Sequence, residues 1–282
     1  MKIPEALQPL IDDGIIDEVV RPLKSGKEAT VYVVRSGPHN RCAKVYRNMA
    51  QRSFQRRALY QEGRKVRGSR QARAMAKSTR FGRGEQEAAW KNAEVDALYR
   101  LVAAGVRVPQ PFGYFDGVLI MELVTNAAGH PAPRLGEIEM TADTALAYHR
   151  FLIGQIVCML SIGLIHGDLS EFNVLVGAEG PVIIDLPQAV NAAANNSARE
   201  MLARDVNNLR STLGRSAPEI LDTEFAREIW ALFEQGKLHS ETELTGVVGR
   251  DETASDPNGV MLVIEDARQE ALSRRLGRET PE

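Results

Sequence analysis

Two polar patterns in the second half of the chain, each beside an apolar run, constrain the fold most. Residues 164–176 read LIHGDLSEFNVLV, and residues 182–188 read VIIDLPQ. Phosphoryl transfer requires one carboxylate that orients the attacking hydroxyl, together with an amide and a second carboxylate that hold Mg²⁺ on a triphosphate. Asp168, Asn173 and Asp185 offer these groups, and their oxygen donors suit a hard cation. Each aspartate taken alone would be expected to cap a turn, but together they predict a phosphoryl-transfer site.

The order of the expected elements gives the fold class. Alternating runs at 29–35 and 41–46 flank a Gly-Pro turn and predict a first hairpin, and residues 112–122 predict a second. Helical periodicity predicts helices at 7–20 with an interruption at Gly14, at 85–104, 141–164, 197–213 and 217–235, and a strand–loop–strand section lies at 166–188. The chain is therefore predicted to be α+β, with a small β-rich lobe before a larger helical lobe. A cleft between two lobes is a common place for a ligand.

The charge distribution helps to divide the chain. The predicted segments are a helical N-terminal extension (1–24), a small lobe (25–121) with a basic flexible insert (47–84), a helical lobe (122–245) and an acidic, loosely attached tail (246–282). Residues 47–91 hold thirteen basic and three acidic residues, a net charge of +10, although the whole chain carries −2. Residues 219–282 hold fifteen acidic and seven basic residues, a net charge of −8. The two segments are expected either to attract each other or to bind different partners.

Composition excludes several classes of protein. With 44% hydrophobic and 26% charged residues, the chain is neither disordered throughout nor fibrous. Its two cysteines, Cys42 and Cys158, form no disulfide framework and no C-x-x-C metal pair. The N-terminus lacks the apolar run of a signal peptide, and the apolar stretch 151–165 is too short to span a bilayer. We therefore expect a cytoplasmic protein without a membrane partner.

The motifs resemble those of the protein-kinase-like superfamily. His166-Gly167-Asp168 occupies the position of H-R-D, and Asp185 that of the D-F-G aspartate. Two departures are features of the RIO kinases, which are atypical serine/threonine kinases: Ser170 replaces the usual Lys, and Asp185-Leu186-Pro187 replaces D-F-G. The resemblance implies a bilobal kinase-like fold without an activation segment, so Ala217-Pro218-Glu219 is not expected to end one. It also implies the RIO type without an N-terminal winged helix, because only 24 residues precede Ser25.

The small lobe should supply the nucleotide-binding residues. Ser25-Gly26-Lys27-Glu28-Ala29 resembles the RIO phosphate loop, although taken alone it is only a turn before a strand. Lys44, in the middle of a strand, is expected to bind the α- and β-phosphates, and a snorkelling surface lysine is the alternative. The RIO pattern W-x-x-x-E implies Glu94 as its ion-pair partner, with Asp96 as the competitor and Trp90 as a packing residue.

The remaining site residues follow from the resemblance. The linker between the lobes would hold the adenine edge through the Glu122 carbonyl and the Val124 N–H, with Met121 as the gatekeeper. Asp168 would position the acceptor hydroxyl, and Asn173 and Asp185 would hold the metal. His166 and Asp205, the latter in R-D-x-x-N, would support the catalytic loop.

The sequence thus predicts an ATP-dependent RIO-type kinase that uses Mg²⁺, or alternatively Mn²⁺, on an unknown protein substrate. In RIO kinases the aspartate that corresponds to Asp185 can itself take the γ-phosphate, so an ATPase that forms an aspartyl-phosphate is a second reading. An aminoglycoside-type phosphotransferase shares H-G-D-x-x-x-x-N, but it usually has a larger helical region after the second aspartate. A nucleotide-switched binding module is the alternative from another class. Because RIO kinases are associated with ribosome maturation, segment 47–91 is a candidate contact for RNA or a ribosomal particle.

Overall fold

The computed structural model of the chain describes residues 3–26, 29–46 and 93–247. Segment 47–91, including Trp90, lies outside the described residues, as do Lys27, Glu28 and residues 248–282. The predictions of a flexible basic insert and of a loosely attached tail therefore stay predictions. Gly246 and Val247, assigned to the tail from the sequence, belong to the compact unit that ends at Val247.

The small lobe is built on a five-stranded antiparallel sheet. Its strands are β1 (Glu18–Ser25), β2 (Ala29–Ser36), β3 (His39–Tyr46), β4 (Pro111–Phe115) and β5 (Val118–Glu122), in the spatial order β1-β2-β3-β5-β4. Both predicted hairpins are present. The first turns at Gly37, which has a φ of 59°, a conformation that glycine adopts without steric cost. The sheet thus presents β3 and β5 at its centre, where Lys44 and Met121 lie.

The N-terminal segment differs from the prediction. A 3₁₀ turn (Glu5–Leu7) and the short helix α1 (Gln8–Asp12) precede Gly14, but the chain then enters β1 at Glu18, so the prediction of helix up to residue 20 is wrong. The β-branched pair Val19 and Val20 is as compatible with a strand as with a helix, and pairing with β2 decides the outcome. Because β1 belongs to the sheet, the small lobe begins before residue 25.

Each face of the sheet is covered by apolar residues. On one face, Leu7, Leu10 and Ile16 form a separate cluster with residues of β2, β3 and β5. On the other face lies α2, which comprises residues 93–103, the described part of the predicted helix 85–104. Leu98 and Leu101 of α2 join the main core, which continues into the second lobe. Helix α2 therefore rests between the sheet and the larger lobe.

The larger lobe is mainly helical. It contains α3 (Ala142–Ser161), α4 (Ala198–Leu213) and α5 (Phe225–Glu234), with 3₁₀ turns at Leu135–Glu137, Ala192–Ala194 and Pro218–Asp222. Two short antiparallel strand pairs carry the two polar motifs: the hairpin of β7 (Val174–Gly177) with β8 (Gly180–Ile183), and the pair of β6 (Leu164–Ile165) with β9 (Val190–Asn191). Two predicted helices were too long: 141–164 ends at Ser161, and 217–235 is broken at Thr223.

The link between Asp185 and α4 is short. Only residues 186–197 separate them, and they contain β9 and a 3₁₀ turn. Ala217-Pro218-Glu219 follows α4, and Pro218 begins a 3₁₀ turn there. The α+β fold with two lobes and no activation segment is therefore confirmed.

Candidate active site

A cavity of about 450 Å³ lies between the sheet and the larger lobe. Apolar side chains from both lobes form much of its wall: Leu23, Ala29, Val31, Leu98, Leu119, Met121, Val124, Leu175, Ile183 and Leu186. Lys44, Glu94 and Asp185 also line it. The cavity, called the interlobe cavity below, therefore combines an apolar wall with a cluster of charges.

The charged cluster centres on Lys44. Its Nζ atom lies 2.5 Å from Oε1 of Glu94 and 3.2 Å from Oδ1 of Asp185. Lys44 and Glu94 are 9% and 5% exposed, whereas the Asp185 side chain is half exposed. Burial alone would lower the pKa of the Lys44 ammonium, but the Glu94 and Asp185 carboxylates outweigh it and raise that pKa. The cation is therefore fixed at the wall of the cavity, and Glu94 is its partner while Asp96 is exposed.

The backbone on either side of Asp168 is tied to helix α4. Asp205 accepts the N–H groups of Gly167 and Leu169, each at 2.8 Å. Arg204 donates to the Gly167 carbonyl at 2.7 Å, and Asn208 donates to the Leu169 carbonyl at 2.9 Å. The R-D-x-x-N motif thus bonds the N–H and carbonyl groups of both neighbours of Asp168, whose own side chain is exposed.

The Asp205 carboxyl that makes these bonds is 1% exposed. Burial raises its pKa to about 6, although the nearby His166 and the two backbone N–H donors pull that pKa down in part. A buried ionisable group therefore lies beneath the loop that carries Asp168.

His166 joins the two polar motifs. Its Nε2 lies 3.0 Å from the Ile184 carbonyl, and its Nδ1 accepts the Asp168 N–H at 3.3 Å. The side chain is 2% exposed, so it packs beneath the site and has no route to a substrate proton. This arrangement fixes the spacing between the loop that carries Asp168 and the strand end that carries Asp185.

Asn173 and Asp185 lie at the open end of the β7–β8 hairpin, and each has a side-chain oxygen that can bind a metal ion. The Asn173 side-chain Nδ2 donates to the Asp168 carbonyl at 2.8 Å, which leaves its amide oxygen as the atom for a cation. The Asn173 carbonyl accepts the Ile184 N–H at 2.9 Å. Asp185 adopts a φ of 68°, which is uncommon outside glycine and is found at functional sites. An amide and a carboxylate fit a Mg²⁺ that takes its other ligands from phosphates and water.

The linker between the lobes contains an ion pair that the sequence did not predict. Both Glu122 side-chain oxygens bind Arg107, at 2.7 and 2.8 Å. The Arg107 hydrogen bonds lower the pKa of the Glu122 carboxyl against the effect of burial. Arg107 also accepts the Ile183 N–H through its carbonyl and donates its own N–H to Gln155, so this pair connects the end of β5 to the larger lobe.

Val124, the second linker residue, is buried, and its carbonyl accepts the Ala132 N–H at 2.9 Å. Its N–H has no hydrogen-bond partner in the parts of the chain that the structure describes, which agrees with a donor reserved for a ligand. Met121 lines the interlobe cavity next to it.

Comparison with known proteins agrees with this geometry. Residues 30–226 match the RIO domain family. The chain belongs to the RIO family. That match includes the Lys44–Glu94 pair, both polar motifs and the R-D-x-x-N segment of α4.

Three curated RIO proteins illustrate the similarity. The RIO-type serine/threonine-protein kinase Rio1 of Haloferax volcanii is 33% identical over 76% of this chain and 69% of its own length. Rio1 of Methanocaldococcus jannaschii is 30% identical over 69% of this chain and 62% of its own. The serine/threonine-protein kinase RIO1 of Chaetomium thermophilum is 26% identical, and the match covers 91% of this chain but about half, 47%, of that relative. A solved kinase domain also matches, at 15% identity with a TM-score of 0.47, over 87% of this chain and 82% of the solved one.

Some site residues of this RIO chain are placed differently from expectation, or were missed. Ser25 is exposed at the end of β1 and does not line the interlobe cavity, although its neighbours Lys24 and Gly26 do. Arg204 and Asn208 were missed as residues that bind the loop, although R-D-x-x-N contains both. No signal in the sequence pairs Arg107 with Glu122. Among the described residues, no helix is both long and apolar enough to cross a membrane.

Proposed function

We propose that this RIO chain is an ATP- and Mg²⁺-dependent serine/threonine protein kinase. The observation that carries the proposal is the buried Lys44 ammonium at the cavity wall, 2.5 Å from Glu94 and 3.2 Å from Asp185. An ion pair of this kind must be in place for a protein kinase to be active. The names of the three relatives support the same activity.

The interlobe cavity suits a nucleotide. Its apolar walls would enclose the adenine ring, with the Val124 N–H and the Glu122 carbonyl as the hydrogen-bonding groups at its edge. Lys44 would neutralise charge on the α- and β-phosphates. Asn173 and Asp185 would hold Mg²⁺, or Mn²⁺, which supplies charge neutralisation on the triphosphate.

Asp168 is the residue proposed to act on the acceptor. Its exposed carboxylate would hydrogen-bond the acceptor hydroxyl, orient it toward the γ-phosphorus and accept its proton as the new P–O bond forms and the bond from the γ-phosphorus to the departing ADP oxygen breaks. Because helix α4 restrains the backbone on both sides, the carboxylate would keep one position through the reaction.

The partners beyond ATP stay predictions. Segment 47–91 is the candidate contact for RNA or a ribosomal particle, and it lies outside the described residues. The physiological protein substrate and the cytoplasmic location rest on the resemblance and on the composition alone.

The test is transfer of the γ-phosphate from labelled ATP, with Mg²⁺, by the full chain. The acceptors would be a mixture of Ser/Thr proteins and, separately, kanamycin, because the aminoglycoside-type alternative predicts transfer to the small molecule. We expect labelled protein, and we expect Asp168→Ala to lower the rate by ~10²–10⁴-fold while the Kd for ATP changes little. Wild-type turnover by Asp168→Ala, or label on kanamycin alone, would contradict the proposal.

A further inference from the structure

Two cations line the interlobe cavity without an acidic partner. Lys24 lies in β1, one residue before Ser25, and Arg134 follows the linker between the lobes. Across the ranges 3–26, 29–46 and 93–247, neither side chain has a carboxylate within 4 Å, whereas Lys44 and Arg107 are both paired. Glu137, three residues after Arg134, also lines the cavity, but its carboxylate accepts the backbone N–H of Arg134 at 3.0 Å.

The charge of Arg134 acts on Lys24. Burial lowers the pKa of the Lys24 ammonium, and the Arg134 guanidinium lowers it further. Glu137 and Asp185 act in the opposite direction, but they do not restore that pKa to its ordinary value. An anion that contacts both cations would offset this repulsion.

The cations come from different lobes. Lys24 belongs to the sheet, whereas Arg134 is bridged to Leu175 of β7, and the preceding Pro133 carbonyl accepts the Val176 N–H at 2.8 Å. An anion that touched both side chains would therefore connect the two lobes across the cavity.

The sequence explains why side chains would be needed here. Glycine-rich loops bind phosphates through backbone N–H groups that glycine lets come close. Between Ser25 and Tyr32 this chain has one glycine, Gly26. A loop with so little glycine offers fewer close backbone donors, and charged side chains can replace them.

We propose that Lys24 and Arg134 together bind the phosphate chain of the nucleotide, one from each lobe. The inference rests on the proposed function, since it takes ATP as the ligand of the interlobe cavity. It assigns Lys24 and Arg134 to the triphosphate in addition to Lys44, and it makes the bound nucleotide a contact that connects the two lobes.

The test is calorimetric titration of the full chain, in Mg²⁺ buffer, with ATP, ADP, AMP and adenosine. The variants are Lys24→Met, Arg134→Met and the double variant. Charge-assisted hydrogen bonds predict that the Kd for ATP rises about 10- to 100-fold in the double variant. The Kd for adenosine should stay within about twofold, which also shows that the variant is folded. The step in the series from AMP to ATP at which the loss appears identifies the phosphate that is bound.

Matched controls remove one positive charge elsewhere. Lys237→Met and Arg150→Met change exposed residues that do not line the cavity, and both should keep the wild-type Kd for ATP. An unchanged ATP affinity in the double variant, or an equal loss for ATP and adenosine, would overturn the inference. So would a double variant that binds ATP normally but has a higher KM for an acidic peptide, because the cations would then bind the protein substrate.

Failure of this inference is distinguishable from failure of the proposed function. If the wild type binds ATP and Lys44→Met weakens that binding while the double variant does not, only the assignment of Lys24 and Arg134 falls. If the wild type binds none of the four ligands, the proposed function falls as well.

Discussion

Separating Lys44 from Glu94 tests whether the two residues act as one unit. The pair is in contact at 2.5 Å and almost fully buried, and within residues 3–26, 29–46 and 93–247 the other carboxylate at Lys44 is the half-exposed Asp185. Removing one partner of a buried ion pair costs about 3–5 kcal/mol, because the remaining charge is left uncompensated. Since Asp185 still compensates Lys44 in part, we expect Glu94→Gln to lower the free energy of unfolding by about 3 kcal/mol.

The double variant gives the stronger test. In Lys44→Met/Glu94→Gln no buried charge is left alone, so its loss should be at least ~2 kcal/mol smaller than the sum of the two single losses. In the same cycle, kcat/KM should fall ~10²-fold or more in each single variant. The kcat/KM of the double variant should be no lower than that of the less active single variant.

Urea unfolding, monitored by tryptophan fluorescence, measures the stability half of the cycle. Labelled-ATP kinetics measures the other half. Asp96→Asn, on the same helix but exposed, is the control, and it should change stability by less than about 0.5 kcal/mol. Losses that simply add, in stability and in kcat/KM alike, would refute the reasoning that the pair is one unit.

Three further predictions concern other parts of the chain. Because burial raises the pKa of Asp205 to about 6 from an ordinary 3.8, its contribution to stability is full below about pH 4 and is lost as the pH rises through about 6. The unfolding free energy of wild type minus that of Asp205→Asn should therefore fall between pH 4 and pH 6, and a constant difference in urea titrations would contradict this. If Asp185 takes the γ-phosphate, acid-quenched protein should carry label on Asp185 that hydroxylamine removes. Stable label on serine or threonine alone would leave Asp185 as a metal ligand. The slope of log affinity for RNA against log salt should steepen by about 0.7–0.9 per neutralised phosphate. Reversing the charges of Arg56, Arg57, Arg64 and Lys65 should flatten that slope, and an unchanged slope would show that these residues do not bind RNA.

The polar motifs could be predicted because their chemistry is local in the sequence. Asp168, Asn173 and Asp185 lie within eighteen residues, and the hairpin of β7 and β8 that brings them together is formed by the same stretch. The Lys44–Glu94 contact joins residues fifty positions apart. It followed from the family resemblance, since periodicity alone cannot choose a partner for a buried lysine.

Other features depend on tertiary structure. Val19 and Val20 carry no local signal that separates strand from helix, so β1 is decided by its pairing with β2. Arg107 and Glu122 meet only because β5 ends beside the segment that enters β4, and Lys24 and Arg134 line one cavity only because the two lobes enclose it. Such contacts depend on how two elements are placed relative to each other, and a short stretch of sequence does not contain that information.

The bonds from α4 to the catalytic loop have a consequence for how this chain can vary. Arg204, Asp205 and Asn208 do not line the interlobe cavity, yet they hold four backbone groups beside Asp168. Every residue except proline carries the same backbone N–H and carbonyl groups. Substitutions in the loop that preserve its shape therefore leave these bonds intact, whereas substitutions at the three helix positions remove them. The residues that determine the geometry of the loop therefore lie in α4, thirty-six to forty positions after Asp168 in the sequence.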